Sequence, residues 1–256
     1  MTVAEKSIDL INYTHNREAH YKTTADEIFN LINNYTERKD LLGLYSYFDK
    51  KYQLPERVVK QKIRQHIARS YLFKSGKFNS KLRIKNIPKS ILQYGALFYA
   101  LFFTKRKSKV KNFKLIIDNI CAPHELERFE KLLNLVGKDK VLCVTRDINI
   151  EQDFSKYHIY NKKLFRDINL KDLSRSIFSE FFLGIWVVLR VSIKTKVNLF
   201  PVSLQIIHSY LSSKALFESN RAQYMIQERH YDTNAVKNYM FKRLGGLAST
   251  SIQKNI

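Results

Sequence analysis

Two short apolar runs, FKLIIDNI from Phe113 and KVLCVT from Lys140, stand either side of the amphipathic stretch HELERFEKLLNLVG, which ends on Gly137. That order constrains the chain more than anything else in it, because strand, helix, strand argues for a parallel α/β unit. A third, weaker strand is expected at YHIYN, Tyr157 to Asn161. The order returns near the carboxyl end, where AQYMIQ, TNAVKNYMFKRLGG and STSIQKNI read as strand, helix and strand. Between these regions, helices are expected from Leu170 to about Ile193 and from Phe200 to about Phe217.

The amino-terminal part reads differently. DEIFNLINNYTERKDLLGLYSYF, PERVVKQKIRQHIARSYLF and the apolar stretch after Pro88 are all helical patterns, the second opened by Pro55. In that second stretch Val58, Val59, Ile63, Ile67 and Leu72 share one face, while Arg57, Lys60, Lys62, Arg64 and Arg69 supply a basic remainder. Seven Gly and four Pro against 17 Phe and 15 Tyr also favour long helices packed on a small sheet. The expected fold is therefore helix-rich α/β, a small Rossmann-like parallel sheet with an amino-terminal helical portion. The best division is a basic helical portion over 1–110 and a Rossmann-like portion over 111–256, which could equally form one continuous domain. With 256 residues, 45% of them hydrophobic, the chain can bury one sizeable core or two modest ones.

A formal charge of +22 directs the chain towards polyanions, whether nucleic acid, anionic headgroups or phosphorylated substrates. Ser90 to Thr104 is uncharged and runs straight into KRKSKVK. The stretch is too short to span a bilayer, so it reads either as an interfacial segment or as a core helix followed by a solvated loop. In the first case Lys105, Arg106, Lys107, Lys109 and Lys111 would face the anionic inner leaflet. FFLGIWVVL, Phe181 to Leu189, is shorter still and reads as buried helix. The polar start lacks the apolar centre of a signal peptide, and Cys121 and Cys143 lack zinc-site spacing and read as reduced core thiols. A cytoplasmic protein is expected, peripheral on the inner membrane in the first of those two readings.

The densest chemistry lies around AQYMIQERHYDTNAVK. A strand from Ala222 to Gln227 would deliver Glu228, Arg229, His230 and Tyr231 to its carboxyl end, where α/β sheets bind ligands. Asp232 or Thr233 would cap the next helix, whose first amides could receive a phosphate or carboxylate beside Arg229 and His230, with Lys237 one turn on. Glu228 has the chemistry of a general base towards a sugar hydroxyl, and His230 of a proton-transfer or phosphate-contact group. The plainer alternatives are an ion pair for Glu228 and a hydrogen-bonded loop residue for His230. Gly245 supplies the left-handed helix stop. No nucleotide-binding glycine loop, nucleophile elbow or zinc pattern occurs, so no cofactor and no metal are expected.

Glu228, Tyr231, the helix through Leu244, Gly245 and Gly246, and Ser251-Ile252-Gln253 together resemble bacterial surface-carbohydrate biosynthesis proteins with a two-Rossmann, B-type glycosyltransferase architecture. The likeness covers roughly the last thirty-five residues. It implies sugar transfer from a nucleotide sugar to a glycan or lipid-linked acceptor, without a metal, and places Gln253 among the substrate-binding residues. Where the family pattern continues with His and Gly, Lys254 and Asn255 follow Gln253. The expectation is thus a glycosyltransferase or its acceptor-binding half, with a second chain as one source of the donor domain. A basic nucleic-acid-binding protein and a non-catalytic membrane-surface scaffold are the competing readings, the first resting on charge interleaved with aromatics such as Tyr71 and Phe73.

Overall fold

The computed structural model describes residues 25–72, 87–102, 110–120, 123–145, 158–161, 177–228 and 235–252. In chain order the elements are α1 (Ala25–Thr36), a 3₁₀ turn (Lys39–Leu41), α2 (Leu42–Tyr52), α3 (Glu56–Leu72), α4 (Ile87–Phe102) and β1 (Lys111–Ile120). A 3₁₀ segment (Pro123–Phe129) then leads into α5 (Glu130–Val136). A 3₁₀ turn (Lys138–Lys140), β2 (Val141–Thr145), β3 (His158–Asn161), α6 (Ile177–Thr195), α7 (Phe200–Ser219), β4 (Asn220–Glu228), α8 (Ala235–Arg243) and β5 (Ala248–Ile252) complete the order. The chain gathers into two compact units, Met1–Gly95 with Phe178–Ile206, and Ala96–Ile177 with Ile207–Ile256.

The first unit is helical. The stretch from Asp26 to Phe48, continuous as a sequence pattern, is broken into α1 and α2. The Thr36 carbonyl accepts from the Tyr45 hydroxyl at 2.7 Å, while the Thr36 hydroxyl donates to the Asn33 carbonyl at 3.0 Å. α3 opens on Pro55, whose carbonyl receives the Val58 amide at 2.9 Å, and it buries Val58, Val59, Ile63 and Ile67 as its spacing requires. Part of its basic face turns back onto the protein: Lys60 Nζ lies 2.6 Å from Glu37 and 2.8 Å from Glu56, and Arg64 lies 3.4 Å from Glu37. The hydrogen bond from Lys60 holds the Glu37 carboxyl below its ordinary range. Tyr94 of α4 is fully buried, edge-on to Phe200 at 5.8 Å.

α6 departs from its expected burial. Gly184, Val188 and Val191 do face inward, and a Cβ at Gly184 would come within 2.6 Å of the Tyr47 hydroxyl. Phe182, Leu183 and Trp186, on the other side, are exposed. FFLGIWVVL is therefore buried on one face only. A segment apolar all round carries no periodicity from which its outer face could be read. The turn after α6 is closed by side chains, Ser192 Oγ accepting the Leu199 amide at 3.1 Å and Asn198 Oδ1 the Phe200 amide at 3.2 Å.

The second unit holds the sheet. All five strands are parallel, in the order β3-β2-β1-β4-β5, which makes the fold Rossmann-like α/β. The middle of β1, Leu115 to Ile117, is apolar because both faces are covered there. Leu115, Ile117 and Ile120 pack with Val141 and Cys143 of β2, Ile226 of β4, and Leu126, Phe129 and Leu133 of the connecting segment. The β1–β2 register slips between Asp118 and Ile120, a bulge that returns Ile120 to the face of Ile117. The amphipathic stretch expected as one helix begins as 3₁₀ over Pro123–Phe129 and becomes α only at Glu130. Leu170 to Arg175 and the capping residues before Ala235 lie outside the described residues, as does Cys121.

α8 ends on a Schellman motif. Gly245 takes φ 101° and donates to the Lys242 carbonyl at 3.2 Å, and Gly246 donates to the Phe241 carbonyl at 3.0 Å. The Phe241 ring lies against Gly246 and packs on Phe217 at 5.2 Å, leaving no space for a Cβ at Gly246. Gly246→Ala should therefore lose about 1–3 kcal/mol by overpacking, read as a lower urea midpoint at unchanged slope. Burial also pushes the Cys143 thiol up to about 12, so its reactive thiolate is absent below that range. In a Cys121→Ser variant, Cys143 should stay unlabelled by a thiol reagent at pH 9 in the native state and label at once in denaturant.

Candidate functional site

In a doubly wound sheet the chain leaves its first strand in one direction and later returns to that strand's other side, so a crevice opens where the order reverses. Here β1 is followed outward by β2 and β3, and β4 then pairs with the free side of β1. The reversal lies between β1 and β4, and its carboxyl edge is marked by polar groups in an otherwise apolar setting. Asp118 of β1 stands in register with Gln227 of β4. Asp118 is 1% exposed and Gln227 fully buried.

Asp118 forms an ion pair with Lys237, itself only 8% exposed, from the first turn of α8. A cation in a helix's first turn opposes the helix dipole, and a carboxylate against that turn offsets both positive ends. Neither charge would be tolerated at this depth alone. One residue on, Asn238 Oδ1 accepts from Gln227 Nε2, so α8 is tied to β1 by charge and to β4 by an amide pair. Both strands at the switch point are thus anchored to the helix that follows β4. Glu228 closes β4 in register with Ile252 of β5, at the same edge.

Of the residues expected from sequence, Lys237 and Glu228 fall at this edge, Lys237 paired with Asp118 and Glu228 at the end of its strand. Arg229, His230, Tyr231, Thr233 and Gln253 lie outside the described residues, as do Lys105, Arg106, Lys107 and Lys109. Lys111 is exposed at the start of β1, opposite Asn220 at the amino edge, about 23 Å along the strand from Asp118. Asp118, Gln227 and Asn238 were not singled out by sequence. The one local signal was a lone carboxylate inside an apolar strand run, and its partner lies over a hundred residues away. Among the described residues no group of three or more His, Cys, Asp or Glu side chains is placed to hold a metal ion. Nor is any described helix long and apolar enough to cross a membrane.

No protein-family model matches this sequence, and neither a curated protein nor a solved structure matches it. What is defined is the class: a Rossmann-like α/β protein whose switch point is held by a buried ion pair.

Removing one partner of a buried pair strands the other charge, whereas removing both does not. Lys237→Met and Asp118→Leu should each lose about 3–5 kcal/mol in urea unfolding, and the double variant should recover most of that loss. Additive losses would show that the two groups do not act as a pair.

Proposed function

We propose that this chain is the acceptor-binding half of a sugar-transfer system of bacterial surface-polysaccharide synthesis, holding a glycan or lipid-linked acceptor at the carboxyl edge of its sheet. The observation that carries the reading is the position of Glu228, which ends β4 at the edge where the strand order reverses. The resemblance of the segment from Glu228 to Gln253 to B-type glycosyltransferases supports the same site. In this reading Glu228 takes the proton of the acceptor hydroxyl as its oxygen attacks the anomeric carbon of a nucleotide sugar. The bond from that carbon to the nucleoside diphosphate breaks, and the diphosphate leaves with the electron pair. No metal is required of this chain. Arg229, His230, Tyr231 and Thr233, between β4 and α8 in sequence, contact acceptor phosphate or hydroxyl groups, and Gln253, next after β5 in sequence, binds substrate with them. The Asp118–Lys237 pair and the Gln227–Asn238 hydrogen bond hold the elements on either side of that connection. The donor's nucleotide is held by a second chain or domain.

A cytoplasmic position, peripheral on the inner leaflet, belongs to this proposal, with Lys105, Arg106, Lys107, Lys109 and Lys111 near anionic headgroups. The test is a thermal-shift panel of nucleotide sugars, polyprenyl phosphates and short RNA on the full chain. Stabilisation by an acceptor analogue is expected, retained in Glu228→Gln, while sugar transfer in the reconstituted system falls about 10²–10⁴-fold. Stabilisation by RNA alone would replace this reading with nucleic-acid binding, for which the charge of +22 is the favouring observation.

A further inference from the structure

We infer that the outer face of α6 is a docking surface for an anionic lipid bilayer, on which the helix lies in the plane of the interface. The helix has two apolar stripes. Gly184, Val188 and Val191 form the buried one, spaced four and three residues apart. Half a turn away, Phe182, Trp186, Leu189 and Ile193 repeat at intervals of four, three and four. Along this second stripe Phe182 is 65% exposed, Trp186 62% and Ile193 58%, with Leu183 beside it at 41%. Leu189 is half-buried. The stripe runs about 17 Å, long enough to seat several large side chains and too short to span a bilayer.

Charge selects the occupant. Arg190 and Lys194 are exposed alongside the stripe, Lys196 follows at the helix end, and no Asp or Glu occurs from Phe181 to Lys196. A second copy of this face would bring Arg190, Lys194 and Lys196 of both copies together with Glu180 as the one carboxylate of each helix, an excess of like charge in a chain already carrying +22. An anionic headgroup layer supplies the opposite charge in the same plane as an apolar interior. Trp and Phe suit the boundary between the two, and the stems of Arg190 and Lys194 can lie along it with their charged ends among headgroups. This surface is built on a different segment of the chain from the basic run at Lys105 to Lys111 and does not depend on the sugar-transfer reading.

Trp186 is the chain's single tryptophan, so its fluorescence reports this face and no other. The full chain is titrated with phosphatidylcholine vesicles with and without phosphatidylglycerol, and again with brominated acyl chains. Anionic vesicles should shift the Trp186 emission to the blue, and brominated lipid should quench it. Neutral vesicles should do neither. The shift should persist in a Lys105→Gln/Arg106→Gln/Lys107→Gln variant. Partitioning should weaken at least tenfold in Arg190→Gln/Lys194→Gln, and in Leu183→Gln/Ile193→Gln with unchanged circular dichroism. Should the last variant fail to fold, quenching of the unmutated protein decides. Absence of vesicle binding, or binding that leaves Trp186 emission unchanged and unquenched, overturns the inference. So does a blue shift that grows with protein concentration in the absence of lipid.

Discussion

A carboxylate and an ammonium sealed inside a protein are tolerated only together, and the Asp118–Lys237 pair makes the position of α8 conditional on that of β1. β1 is the central strand, with β2 on one side and β4 on the other. Through Lys237 the helix after β4 is referred to that centre, and through Asn238 it is tied to β4 itself. The connection between β4 and α8 therefore starts and ends on elements fixed to each other. Elements fixed to each other beside the strand reversal are what recognition of a ligand at that edge would demand.

The bulge after Asp118 belongs to the same arrangement. Without the extra residue, the last residue of β1 would change faces, and Ile120 would leave the cluster formed by Leu115, Ile117, Val141 and Cys143. Asp118, before the bulge, faces α8 by ordinary alternation with Ile117, while the strand beyond it ends in the apolar layer beneath the connecting helix. One strand thereby serves a hydrophobic layer on one side and a charged anchor on the other.

Much of the sheet was legible because parallel strands buried on both faces leave a dense apolar signature, as at FKLIIDNI and KVLCVT, and because Gly245 is the residue a left-handed helix end calls for. The site was less so. Asp118 has no motif around it, and its meaning depends on Lys237, which a long intervening stretch separates from it in sequence; pairing at that range is a property of the topology. Lys237 itself was expected to meet substrate because it lies in the helix that follows the loop of Arg229 and His230, a position in sequence that carries no information on what stands opposite. α6 failed for the converse reason: with Phe, Leu, Ile, Trp and Val on every side, its sequence holds no phase to tell the face against Tyr47 from the face carrying Trp186. The break between α1 and α2 was hidden too, since it rests on the contact of Tyr45 with Thr36 across the turn.

We propose ligand recognition where the strand order reverses. Hydrogen–deuterium exchange of the full chain, with and without the most stabilising polyprenyl phosphate, tests it directly. Exchange should slow at the carboxyl ends of β1 and β4 and in the first turn of α8, around Asp118, Gln227 and Lys237. Slowing confined to the amino edge of the sheet or to the helical unit, or none at all, would contradict it.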